Sequence, residues 1–383
     1  MPLPSLLCLS FSNLATDPRV NRQIRLLSPH YRLTAAGYAD PHIDGVGFVP
    51  LPNPMSGPGY KLSAGLRLLT RSFESYYWNL NCVRRAVEVL GGKRFDLIIA
   101  NDSDTWPLAV SLRGSGRVLF DAHEFPPREF EDLWWWRTLF QPYRDYLCRR
   151  YLHQADGVTT VCTGIAEEFA RCYGIHPAVV MNMPPLRIAP PLPALQDRIR
   201  MIHHGAAIRS RKIETMILAL DHLDERFTLD LMLTDNDQRY LARLRQLASG
   251  RSRVRFRRPV PMNRIPEETR DYELGLFLLE PTNFNYLHAL PNKFFEFIQA
   301  RLAIAIGPSP EMARLVKEHD LGVIAQDFKP QSLADALRVL TPEKVAQFKQ
   351  NAHRAADVLC WENERTKLLS EIQRLLASKP CVA

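Results

Sequence analysis

Nowhere does the sequence hold an uncharged apolar run of the roughly 18 residues that a spanning helix needs, so the chain is not expected to cross a membrane. The apolar start has no basic n-region. Asp17 and Arg19 close it before a secretory signal is complete, and Ser5 to Ser10 reads instead as a buried first strand. There is no CxxC pair. The seven cysteines (Cys8, Cys82, Cys148, Cys162, Cys172, Cys360 and Cys381) are scattered, with no histidine nearby to complete a zinc site. Reduced thiols in a cytosolic protein are the expectation, with neither a disulfide framework nor a metal. What is present is apolar material in quantity: 46% hydrophobic against 23% charged residues excludes disorder of the whole. A length of 383 residues suggests two ordinary domains or one large α/β unit. The net charge of +8 is compatible with phosphate, nucleic acid or an acidic membrane as partner.

Short apolar runs alternate with helical patterns: LLCLSF, RLTAAG, FDLIIAND, RVLFDAHE and GVTTVC. Runs apolar on both sides are those of buried parallel strands, and the alternation predicts a parallel sheet with helices on both faces. After MNMPPLRIAPPLPALQD, whose five prolines favour an extended connector, the grammar restarts with IRMIHHG, TLDLML, RVRFRR, ELGLFLL and LAIAIG. The division expected is an N-terminal Rossmann-like domain over 1–182, a Pro-rich linker over 183–198, a second Rossmann-like domain over 199–360 and a terminal helix over 361–383 that packs back on the first domain. Ligands of such domains bind beyond the C-terminal strand ends, and the two edges are expected to face each other across a cleft.

Some segments have plain structural readings. The alternating run from Arg251 to Arg258 reads as a strand with one solvated face, and no nucleic-acid motif accompanies it. Trp134, Trp135 and Trp136 cannot all enter one face of a helix; burial of one or two competes with an interfacial anchor.

The post-strand loops hold the groups that bind or transfer. SNLATDPRVNRQ offers Asp17 and Arg19, with Asp17 equally readable as a helix N-cap. FDLIIA is followed by Asn101, Asp102 and Asp104, and RVLFDA by His123 and Glu124, a mixture able to hydrogen-bond a polyol. In the second half, Gly205 leads to Arg209, Arg211 and Lys212 near a helix N-terminus, which suits a diphosphate. In LHALPNKFFEF, Asn292 opens a helix with Lys293 in its first turn and Glu296 one turn later. In GPSPEM, Ser309 can cap and Pro310 can take the first helical position.

These segments, with DPRVNRQ, FDLIIANDSDT, FDAHEFP, DGVTTVCTGIAEEFARCYGI, LPNKFFEFIQARLAIAIGPSPEMARLV and CWENERTKLL in the same order, resemble the GT-B glycosyltransferases of the retaining family 4 over nearly the whole chain. The resemblance implies two Rossmann-like domains, with an acceptor site in the first (Asp17, Arg19, Asn101, Asp102, Asp104) and a nucleotide-sugar donor in the second. It implies that Glu296 touches the ribose, that Arg211, Arg209 or Lys212 holds the diphosphate with Lys293 as a second phosphate ligand, and that His123 reaches the transferred sugar; Asn292 is also expected on the donor side. Several positions depart from the family pattern and bear on donor-sugar orientation. His288 stands where the E-x7-E motif has its first Glu, Ala206 follows Gly205 where an Arg is usual, Arg301 replaces a Gly, and no Gly-Gly loop follows the first strand.

The expected activity is sugar transfer from a nucleotide diphosphate sugar to a glycan or lipid-linked glycan in cell-envelope polysaccharide synthesis, with retention and without metal or cofactor. His123, Glu124, Arg211 and Lys293 form the catalytic set, and Gly205, His288 and Ser309 join the donor site. Cations at the phosphates would stabilise the leaving group. The expected location is cytoplasmic or peripheral on the cytoplasmic membrane face. A nucleotide-sugar epimerase and a non-catalytic nucleotide-sugar or glycan-binding protein are the competing readings.

Overall fold

The computed structural model describes residues 3–53 and 58–377. The chain divides into two compact units. The first comprises the chain up to Met181, Asn283–Asn285 and Arg365 onward; the second comprises Asn182–Thr282 and Tyr286–Glu364.

The first unit is built on a seven-stranded sheet with the strands β1 (Ser5–Ser10), β2 (Arg32–Gly37), β3 (Gly47–Pro50), β4 (Leu97–Asn101), β5 (Arg117–Ala122), β6 (Gly157–Thr160) and β7 (Ala178–Val179), in the order 3-2-1-4-5-6-7. Every pairing is parallel. All residues of β1 and β4 are buried, as strands covered on both faces must be. The second unit carries β8 (Ile199–Ala206), β9 (Phe227–Thr234), β10 (Val254–Arg257), β11 (Leu274–Phe277), β12 (Ala303–Ile306) and β13 (Gly322–Ile324), again all parallel, in the order 10-9-8-11-12-13. Its core joins Met201, Leu229, Leu231, Leu274 and Leu276 of the strands to Ile217, Leu241 and Leu333 of the helices. Burying each such side chain contributes about 1.5–3 kcal/mol.

In both sheets the strand order reverses beside the first strand, between β1 and β4 and between β8 and β11. In open parallel sheets ligands bind beyond the C-terminal strand ends at such a reversal. The ten strands expected from the apolar runs all form. β3, β7 and β13 were not expected, and each is a short edge strand with little buried pattern to read. Residues 180–198 carry no regular element. In the second unit this connector is tied down by Arg187 N–H donating to Gln299 Oε1 (2.9 Å) and Leu186 N–H donating to Glu362 Oε2 (2.8 Å).

Arg301 stands just past the helix Asn292–Gln299. Its φ of 63° lies in the left-handed region, where glycine ends helices at least cost. The arginine is held there by its buried guanidinium, which donates to the Ile298, Gln299 and Arg187 carbonyls and to His353 Nδ1.

Of the three consecutive indoles, Trp136 is buried and Trp134 and Trp135 are exposed, so one enters the core. Cys8, Cys82, Cys148, Cys162, Cys172 and Cys360 are free thiols; Cys381 lies outside the described residues. Among the described residues no helix is long and apolar enough to cross a membrane.

Candidate functional site

At the C-terminal edge of the first sheet, Asp121 at the end of β5 is fully buried and gathers its neighbours. Arg19 makes a two-pronged pair with it (Nε to Oδ2 2.8 Å, Nη2 to Oδ1 2.6 Å), and Thr159 Oγ1 and Gln23 Nε2 also donate to it. Burial alone raises the Asp121 carboxyl, but the charges of Arg19 and then His123 outweigh it and hold the group well below the usual carboxylate range. The third Arg19 nitrogen donates to the Val180 carbonyl (2.8 Å), so the guanidinium is consumed inside the fold. Arg19 thus braces Asp121 from within the fold.

Asp17 N-caps the helix Pro18–Leu27, accepting from the Arg19 and Val20 amides at 3.1 Å each, which is the plain structural reading of that residue. Asn101, at the end of β4, is likewise buried. Its amide donates to Gln23 Oε1 (3.0 Å) and the Leu9 carbonyl (3.3 Å).

Asp102, His123, Glu124 and Asp104 do come together. With Ser103, Pro126, Glu129 and Arg144 they line a cavity of about 250 Å³. Asp102 sits at φ 63°, a sparsely populated region for a non-glycine residue, and strain of this kind gathers where function over-determines the backbone. Its carboxylate faces His123 Nδ1 at 3.1 Å and accepts the His123 backbone N–H at 3.2 Å. Asp104 is ion-paired with Arg144, which also donates to Ser103 Oγ at 3.1 Å. No local pattern marks Arg144 or Glu129 as site residues. They come from a later loop and helix, and only the tertiary fold brings them to Asp104.

In the second unit the expected cations separate. Arg209 pairs with Asp237 (2.7 Å) and Lys212 with Glu280 (2.6 Å), both near solvent. The expected helix start is also a short 3-10 turn, Arg209–Arg211, followed by the separate helix Glu214–Ala219.

Arg211 and Lys293 remain, and they meet at Gly205. Lys293 is only 6% exposed, and its ammonium has no hydrogen-bond partner among the described residues. It lies 4.5 Å from the centroid of the Phe277 ring. Burial, then the nearby Arg211 charge, holds it well below the ordinary lysine value. Gly205 has φ +126°, and a Cβ there would stand 2.8 Å from Lys293 Nζ and 3.6 Å from Arg211 Nη1. The missing side chain is therefore what leaves both cations room at the β8 end.

Glu296 is buried on the helix Asn292–Gln299, with its Oε2 3.4 Å from His204 Nε2. His204 is held neutral by burial and then by Lys293, a neighbour that the spacing of residues did not disclose. His288 Nδ1 lies 3.7 Å from Glu311 Oε1. Ser309 occupies the N-cap position of the helix Pro310–Glu318 without a side-chain capping bond, contrary to the expected cap. Its buried hydroxyl and Asn292 Oδ1 have no hydrogen-bond partner among the described residues.

Two cations at the end of one sheet, a buried carboxylate one turn further on and unused polar atoms nearby can bind a diphosphate joined to a polyol. Residues 37–184 match the family model described as Glycosyltransferase Family 4. No curated protein matches the sequence.

Solved structures with similar folds include Anabaena HepE in complex with UDP-glucose (TM-score 0.70, 15% identity, covering 96% of this chain and 99% of that one). Another is the sucrose-phosphate synthase of Thermosynechococcus elongatus (0.71, 14%, 97% and 99%). A third is the UDP-forming α,α-trehalose-phosphate synthase of Burkholderia vietnamiensis (0.69, 12%, 97% and 100%). The chain thus carries a Glycosyltransferase Family 4 segment over residues 37–184 and has the GT-B fold.

Proposed function

We propose that the protein transfers a sugar from a nucleoside diphosphate sugar to a hydroxyl acceptor. The observation that carries this reading is the Lys293 ammonium, buried beside Gly205 and Arg211 with no hydrogen-bond partner among the described residues. An unpaired buried charge is costly, and a diphosphate between the two cations would relieve the cost while the same cations stabilise the leaving group. Glu296 would accept from the ribose hydroxyls. His288 with Glu311 would meet the sugar, taking over from the glutamate of the family motif. UDP-glucose, the ligand named for HepE, is the first donor to test.

The acceptor side is the cavity of Asp102, Asp104, His123 and Glu124, which suits a glycan hydroxyl. Retention of configuration, and a lipid-linked glycan of the cell envelope as acceptor, complete the proposal. A peripheral position on an anionic membrane is supported by the helix Pro58–Leu69. It exposes Leu62, Leu66 and Leu69 on one face, carries Lys61 and Arg67, and has no acidic residue.

The replacement at His288 also favours a second reading, a nucleotide-sugar-binding protein without turnover. Titration calorimetry with UDP, followed by mass spectrometry of UDP-glucose incubated with glycan acceptors, separates the cases. Glycosylated product supports transfer; binding without product supports the second reading; no UDP binding removes the donor site. An epimerised donor would replace transfer with isomerisation.

A further inference from the structure

We propose that His123 is a fixed imidazolium, held with a proton on each ring nitrogen by Asp102 on one side and by Asn101 and Asp121 on the other, so that it supplies positive charge and does not accept a proton. Asp121 is encircled by donors: Arg19 through two nitrogens, Thr159 Oγ1 and Gln23 Nε2. A carboxylate only accepts, so the Gln23 amide is oriented with its nitrogen toward Asp121 and its oxygen toward Asn101 Nδ2, 3.0 Å away. Asn101 Nδ2 also donates to the Leu9 carbonyl, which leaves Asn101 Oδ1 facing His123 Nε2 at 3.2 Å. An amide oxygen can only accept, and Asp121 Oδ2 stands 3.5 Å from the same nitrogen, so Nε2 must carry a proton.

On the other side, Nδ1 is 3.1 Å from Asp102 Oδ2. Asp102 is half exposed, which keeps its ionised form well solvated, and Nδ1 then carries the second proton. Burial opposes the charge on His123, but Asp102 and then Asp121 overcome it and push the imidazole up to about 10, while Asp102 is itself held below the usual range. The remaining charged groups around the ring are Arg19 behind Asp121, Glu124 next in the chain, and Asp104, Glu129 and Arg144 on the cavity wall. Both ring nitrogens are engaged with internal acceptors, so in the proposed transfer the acceptor proton goes elsewhere. The charge state itself does not depend on the transferase reading.

The test is nuclear magnetic resonance of the full chain with ¹⁵N-labelled histidine rings, the His123 signals being assigned by their loss in His123→Gln. Both ring nitrogens are expected to stay protonated from about pH 6 to about pH 9, well past the ordinary histidine value. Asp102→Asn is expected to bring the titration down by at least about one pH unit. Asparagine is nearly isosteric with aspartate, so the variant removes the charge while changing little of the shape. A neutral His123 ring in the unmodified protein at about pH 7.5, or a titration that Asp102→Asn leaves in place, overturns the proposal. Neither reading needs turnover, so absence of sugar transfer would count against the proposed function alone.

Discussion

A lysine nitrogen shut away from water, with no hydrogen-bond partner among the described residues, lowers the stability of the empty protein, and Lys293 is such a group. Replacing it with a shape-compatible apolar residue should therefore separate folding from binding. Lys293→Met is expected to leave the urea midpoint unchanged or raised, while calorimetric affinity for UDP falls about ten- to a hundred-fold, the worth of one charged hydrogen bond. The lowered lysine value also has a sign. Between that value and about 10.4 the unfolded chain binds more protons than the folded one, so stability rises with pH across the window, and Lys293→Met should remove this rise. Equal affinity in the variant would take the diphosphate away from Gly205. Glu296→Gln is expected to weaken UDP more than inorganic diphosphate, because an amide offers one acceptor oxygen where the carboxylate offers two. Equal losses in parallel titrations would leave Glu296 without a ribose role.

Helix ends show how one element can satisfy a rule and another break it. Asp17 caps the helix Pro18–Leu27 as its residue type suggests, with a proline in the first turn. Arg301 breaks the rule that a left-handed position after a helix wants glycine, and its hydrogen bonds explain why. Arg301→Gly would relieve about 1–2 kcal/mol of backbone strain. It would also remove charged donors worth roughly 1.5–3 kcal/mol and leave the carbonyls of Ile298, Gln299 and Arg187 without them. The second effect is the larger at mid-range, so a net loss of up to about 2 kcal/mol is expected in urea denaturation. A more stable variant would show that strain dominates.

For the molecule as a whole, the surface raises the question of where it works. On the helix Pro58–Leu69, Leu62 is 80% exposed and Leu66 and Leu69 are also exposed. Trp134 and Trp135 are exposed on the helix Trp134–Tyr151 of the same unit. Leucines and indoles of this kind partition to a bilayer interface, and each nearby cation adds about 1 kcal/mol on anionic lipid. Co-sedimentation with anionic vesicles at low salt should therefore bring the protein down, and added salt should release it. Replacing Leu62, Leu66 and Leu69 together by Ser should cut binding about tenfold or more. Vesicle binding that ignores both salt and these substitutions would remove the proposed face.

The sequence by itself determined the parallel α/β class, the two series of strands, the extended connector and the loops that carry polar groups. Each of these rests on neighbouring residues: a buried strand is a short apolar run, and a helix start is a capping residue followed by a suitable first turn. It also placed Lys293 and Glu296 one turn apart on a single helix. Only the tertiary structure decided which polar groups are available for a ligand. Arg209, Lys212 and Arg19 look alike as letters, yet Asp237, Glu280 and Asp121 claim them from 28, 68 and 102 residues away. Lys293 is set apart from them by a burial that no local pattern records. The charge of His123 depends in the same way on Gln23, Asn101, Asp102 and Asp121 meeting at the ends of separate strands and helices. A side chain's protonation and pairing are set by the field and solvent around it, and that environment is assembled from distant segments of the chain.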